Sequence, residues 1–168
     1  MDSCEDKDRK KPLQSLLRAF ERYYTIKTQG TKPPFAAEAE FHSHNEQYFL
    51  TRAAKIADID SHEFVFFAEE KHLDAARLAI LDAAAWEGGL SRVQPCEGHR
   101  NSDVTLIIVA DSLDSDIPRA VKKARHSASY RFGLWGWSNY RILAYDVSSG
   151  KALTNRLGAP LKKYVCNV

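Results

Sequence analysis

Hydrophobic positions along this chain change period several times, and each change marks an element. Leu13, Leu16, Leu17, Phe20 and Tyr24 recur at helical spacing, with Lys27 the next position in phase. This predicts a first helix over residues 13–29, stopped by Gly30 and by Pro33-Pro34. From Phe35 the period drops to two. Phe35, Ala37, Ala39 and Phe41 share one face, and Ala36, Glu38, Glu40 and His42 share the other, the pattern of a half-buried strand. Polar turns at 43–46 and 58–61 then bracket a second strand at 47–57. A third strand at 63–67 is apolar after Glu63, as expected when both faces are covered. Three strands with short polar connections predict an antiparallel meander.

The second half alternates helix and strand. An Ala-rich helix at 73–87 carries Leu73, Ala76, Ile80 and Ala83/Ala84 on one stripe and ends at Gly88-Gly89. A loop at 91–102 leads to Val-Thr-Leu-Ile-Ile-Val-Ala at 104–110, the most buried-looking segment. Ser115 then caps a third helix, with Pro118 in its first turn and an apolar stripe of Ile117, Ala120, Val121, Ala124 and Ala128, closed by Gly133. A hairpin follows, 140–147 and 151–155, around Ser148-Ser149-Gly150, and the tail from Pro160 forms a last helical turn. Residues 1–12, polar and charged, read as a disordered lead-in to a single domain over 13–168. The expected fold is α/β (or α+β): a mixed sheet of about five or six strands with helices packed on it, in the order α-βββ-α-β-α-ββ.

Charge changes the picture more than composition does. Residues 117–168 hold ten Lys or Arg and one acid, Asp146, whereas residues 1–116 hold fourteen Lys or Arg and twenty-one acids. The formal charge of +2 therefore hides a basic C-terminal third on an acidic body. Such segregation bears on partners, not on fold. It points to nucleic acid, another polyanion or an acidic protein surface, the last including a neighbouring copy in a homo-oligomer. No apolar run is long enough to span a bilayer, and residues 1–12 lack the apolar core of a signal peptide, so a cytoplasmic protein with no membrane partner is expected. Cys4, Cys96 and Cys166 form no metal-binding spacing, consistent with thiols kept reduced.

Four groups of residues could carry chemistry. Arg119, Lys122, Lys123 and His126 would share a solvent face of the third helix and could hold phosphates. Arg131, Trp135, Trp137 and Arg141 interleave cations and aromatics around Gly133 and Gly136, as single-strand binding by stacking and charge requires. Glu38, Glu40 and His42, at period two, could approach a metal ion. No nucleophile elbow, phosphate loop or dinucleotide fingerprint is present, so no constellation fixes a reaction.

Fourth, the helix–three strands–helix–strand order is similar to the core of the PD-(D/E)XK nucleases. That resemblance implies a magnesium or manganese site made by Asp58 and by Glu69 and Lys71 of a Glu-Glu-Lys run, with Glu21 on the first helix. No Pro precedes Asp58, a departure from the pattern. Separately, Phe35-Ala-Ala-Glu-Ala-Glu-Phe-His, Glu63-Phe-Val-Phe-Phe, Gly133-Leu-Trp-Gly-Trp-Ser and Thr154-Asn-Arg-Leu-Gly158 resemble a family of small uncharacterised bacterial proteins. That likeness implies no catalytic residues. The expectation is a non-catalytic binding module without a cofactor; the alternatives are a divalent-metal nuclease and a structural or oligomerising protein.

Overall fold

The computed structural model describes residues 4–48, 55–97 and 99–165, with side chains described at 12–41, 62–97 and 100–165. One mixed sheet of seven strands forms the body, in the spatial order β1-β2-β3-β4-β6-β5, with β7 also paired to β6. The strands are β1 Thr25–Lys27, β2 Ala37–Tyr48, β3 Lys55–Leu73, β4 His99–Leu113, β5 Ser127–Ser129, β6 Trp137–Asp146 and β7 Lys151–Thr154. Helices α1 Cys4–Glu21, α2 Ala75–Leu90 and α3 Ile117–Lys123 pack on it. No helix among the described residues is long and apolar enough to cross a membrane.

The centre of the sheet is parallel: β3 pairs β4, and β4 pairs β6. Both faces are covered, which explains the near-continuous apolar runs. Phe64, Phe66, Val104, Leu106, Ile108, Ile142 and Ala144 face α2 and α3, where they meet Leu78, Leu81, Ala85, Ile117 and Val121. Val65, Phe67, Ile107, Val109, Leu143 and Tyr145 face α1, where they meet Leu13, Leu16 and Phe20. Helix α2 comes so close to β4 that a Cβ at Gly89 would stand 2.4 Å from Val104 Cγ2. Asp74 caps α2 by accepting a hydrogen bond from the Arg77 amide.

The expected element order holds, with shifted boundaries. Helix α1 starts at Cys4, taking in residues 4–12 that were expected as a lead-in, and ends at Glu21. Residues 25–27 leave the helix because they pair as a strand with Glu38–Glu40, and Tyr24 turns to reach Glu63. The meander is therefore β1-β2-β3. The polar segments at 43–46 and 58–61 are not turns. They face each other within the β2–β3 ladder, Ser43 opposite Ser61 and Glu46 opposite Asp58, because backbone pairing needs no apolar side chain. Much of the expected strand at 47–57 lies outside the described residues. Helix α3, expected to reach about Arg131, ends after seven residues, and its N-cap position is Asp116, not Ser115. Residues 127–129 instead pair with the N-terminal end of β6, and His126 packs between Trp86 and Tyr140.

Strand β4 occupies one edge of β6 along its length, so β5 and β7 share the other. β5 pairs with Trp137–Asn139 and β7 with Leu143–Asp146, which leaves a gap at 140–142. Asn155, 4% exposed, closes that gap. Its Oδ1 accepts hydrogen bonds from the Ile142 and Gly158 amides, and its Nδ2 donates to the Tyr140 and Ala124 carbonyls.

Candidate functional site

The basic and aromatic residues singled out in the C-terminal third divide into three places. Arg119, Lys122 and Lys123 are exposed on α3, whose Ile117 and Val121 are buried. They form no ion pair among the described residues. The β5–β6 hairpin is the second place. Its tip, residues 130–136, is closed by Tyr130, whose amide donates to the Gly136 carbonyl and whose own carbonyl accepts from Gly133 and Trp135. Arg131 (φ 48°) and Phe132 (φ 56°) both sit in the left-handed region, a conformation that costs about 1–2 kcal/mol for a residue with a Cβ. Their strain coincides with exposure: Phe132 is wholly exposed, Leu134 78% and Trp137 41%. The Arg131 guanidinium lies 4.4 Å over the Trp135 ring, a cation–π contact. Trp135 is half-buried, so one indole borders the tip and the other reaches solvent.

Arg141 is in neither place. Residues alternate along β6, which puts Arg141 on the α1 face. There it pairs with Asp103 and, at 3.4 Å, with Glu63. Thr105 and Tyr24 donate hydrogen bonds to the two oxygens of Glu63, at 2.8 and 2.6 Å. Burial and this carboxylate push the Tyr24 phenol well above its ordinary range. Arg141 thus neutralises two buried acids on β3 and β4 and is not part of the outward basic surface expected for it.

His126 belongs to a third place, which sequence reasoning passed over. Its Nε2 meets Asp82 Oδ2 at 2.5 Å, and its ring stacks on Trp86 with a centroid separation of 5.2 Å. A cavity of about 370 Å³ opens beside it, at the gap in the β6 edge. Arg125, His126 and Ser127 line it from the segment entering β5, Asn139 and Tyr140 from β6, and Asn155, Arg156 and Leu157 from the segment after β7. No carboxylate is among them, and Arg125 and Arg156 are exposed without an ion pair among the described residues. Tyr140 is 1% exposed, and its buried hydroxyl lies beside the Asp82 carboxylate. Burial first, then the Asp82 charge and a hydrogen bond to that carboxylate, push the Tyr140 phenol far up, so it stays protonated at any ordinary pH. Arg125 and Arg156 are 31 positions apart and look unrelated in sequence. Only the attachment of β5 and β7 to one edge of β6 brings them together.

The carboxylates at the acidic end have other partners. Arg92 reaches Glu38 and Glu40, the latter at 2.9 Å, while its guanidinium lies 5.2 Å from the Phe66 ring centre. Two members of the expected Glu38–Glu40–His42 set thus belong to an ion pair on the α2 face; the His42 side chain lies outside the described residues. Of the nuclease set, Glu21 ends α1, Glu69 and Lys71 lie on β3 opposite the C-terminal part of β4, and the Asp58 side chain is not described. Glu70, between Glu69 and Lys71, pairs with Arg77 at 2.7 Å. Among the described residues no group of three or more His, Cys, Asp or Glu is placed to hold a metal ion.

No curated protein and no solved structure matches the chain. One family model does, and it spans residues 8–166, which takes in the whole sheet, α2, α3 and α1 from Asp8 onward. By that match the chain belongs to the family described as Domain of unknown function (DUF8052).

Proposed function

We propose that this protein is a non-catalytic module that binds single-stranded nucleic acid through the β5–β6 hairpin and the cations of α3. The observation that carries this reading is the hairpin tip. A strained pair of left-handed residues holds Phe132 entirely in solvent, beside Trp137 and the stacked Arg131–Trp135 pair. Exposing a large aromatic is unfavourable unless something else covers it, and a base offers a π-face of the right size. The cations Arg119, Lys122 and Lys123 supply the sequence-independent attraction for phosphates. The chain from Arg125 to Arg131 covers at most about 20 Å when extended, so helix and hairpin lie within the reach of a few nucleotides. The nuclease and oligomer readings rest on no comparable observation.

Fluorescence anisotropy with labelled single- and double-stranded oligonucleotides, at low and moderate salt, tests the proposal. Binding should favour the single strand and weaken with salt. Phe132→Ala should weaken it by the ~1–3 kcal/mol of one stacked base, without altering the fold. A Lys122→Gln/Lys123→Gln variant should reduce the salt dependence. Equal binding of the Phe132→Ala variant and the parent would refute the stacking role. No binding at low salt would refute the function and leave docking of the basic third on an acidic protein surface, a second copy included.

A further inference from the structure

The cavity at the split edge of β6 is a binding site in its own right, and we infer that it takes a phosphomonoester. The argument starts from charge. Arg125 and Arg156 flank a space of about 370 Å³ whose lining contains no carboxylate. Neither guanidinium is paired among the described residues, so the cavity carries two cations in search of an anion. A guanidinium fork matches two oxygens of a tetrahedral anion, and two forks from separate segments suit a dianion better than a carboxylate. The volume falls in the range of small-molecule sites, large enough for a phosphate with a sugar attached.

The inner wall fixes the shape of the site. Asp82 holds His126 by Nε2 and lies beside the buried Tyr140 hydroxyl, so one carboxylate engages both rings from behind the cavity. Asp82 is therefore a positioning residue, while Arg125 and Arg156 are the contacts.

Two sources carry this chemistry: a small phosphorylated metabolite and the 5′-phosphate end of a nucleic acid strand. The site does not depend on the hairpin reading, and the experiment keeps them apart. The full chain, labelled with ¹⁵N, is titrated with inorganic phosphate and with a nucleoside monophosphate at constant ionic strength, with chloride as the control anion. Saturable shifts of the Arg125 and Arg156 Nε–H signals and the Ser127 amide are expected, absent with chloride. Arg125→Gln and Arg156→Gln, both at exposed positions, should each weaken binding about tenfold or more. Absence of saturable shifts, or unchanged affinity in both arginine variants, overturns the site. A second arm compares 5′-phosphorylated with 5′-hydroxyl oligonucleotides. A gain from the phosphate that is lost in Arg156→Gln identifies the strand end as the source. Monophosphate binding without that gain identifies a metabolite. If oligonucleotides do not bind at all, the phosphate titration still decides the cavity.

Discussion

Removing the Asn155 side chain tests the account of the split sheet edge most directly. In Asn155→Ala, two amide donors, Ile142 and Gly158, and two carbonyl acceptors, Tyr140 and Ala124, lose a partner together. Each bond contributes about 1 kcal/mol net, and more when the group left behind cannot reach water. The Ile142, Gly158 and Tyr140 bonds are buried, so they set the scale, while the bond to Ala124 is partly open. The adjoining cavity lets water replace some of what is lost. The expected destabilisation is therefore about 2–4 kcal/mol, below the simple sum, which in a domain of this size lowers Tm by roughly 5–15 °C. Asn155→Asp keeps the shape but turns an acceptor toward two carbonyls, so it should be at least as costly. Urea unfolding of the two variants and the parent, followed by circular dichroism, gives the values at unchanged m. A loss below about 1 kcal/mol in both variants would refute the idea that Asn155 stands in for missing strand pairing.

Gly89→Ala should destabilise by about 1–3 kcal/mol through overpacking on Val104, and Val104→Ala in the same chain should recover part of the loss; strict additivity in a double-mutant cycle would contradict the contact. Phe132→Gly relieves a left-handed residue and removes an exposed ring, so thermal stability should hold or rise by up to about 1 kcal/mol while single-strand affinity falls; a clear stability loss would show that the ring packs against the body. Partial burial raises the Asp146 carboxyl, but hydrogen bonds from Ser149 and Ser148 outweigh it and hold the group below the ordinary carboxylate range. Its stabilising effect is then complete above the unfolded value near ~3.9 and is lost as pH falls through the lower folded one. The stability gap between parent and Asp146→Asn should accordingly shrink in acid, and a gap independent of pH from neutral to strongly acid conditions would contradict the assignment.

What was legible in the chain follows from how locally each element is determined. Strand β4 declares itself because both of its faces are apolar. For α2 the helix was legible but not its buried face: Ala76, Ile80 and Ala83 point outward, Leu78, Leu81 and Ala85 are buried, and the helix runs through Gly88-Gly89 to Leu90, because alanine suits either face and Gly89 is needed where the helix meets Val104. Polarity misled where tertiary pairing decides. Ser43 and Ser61 look like turn residues, yet they are partners across a long ladder. Helix α3 stops early because Ser127–Ser129 can complete the β6 edge, which no periodicity within 115–131 reveals. That Phe132 stands in solvent while Trp135 is half-buried is not legible in the aromatic stretch 130–141, since exposure of an aromatic is not written in its neighbours. Arg141 was grouped with the outward cations by sequence proximity, whereas strand alternation turns it onto Glu63 and Asp103. The cavity pair Arg125 and Arg156 became visible only with the topology.

The way β6 is finished bears on strand addition at this side of the sheet. A central strand left bare along one side would present a row of amides and carbonyls, a template for a foreign strand. Here the row is covered by one three-residue strand, one four-residue strand and the side chain of Asn155 between them. On this side of the sheet no long edge is offered, and what would be a stretch of open backbone becomes the wall of a cavity. An opening in the sheet large enough for a ligand is thereby compatible with resistance to strand-addition aggregation, and a variant that loses Asn155 should lose that resistance along with its stability.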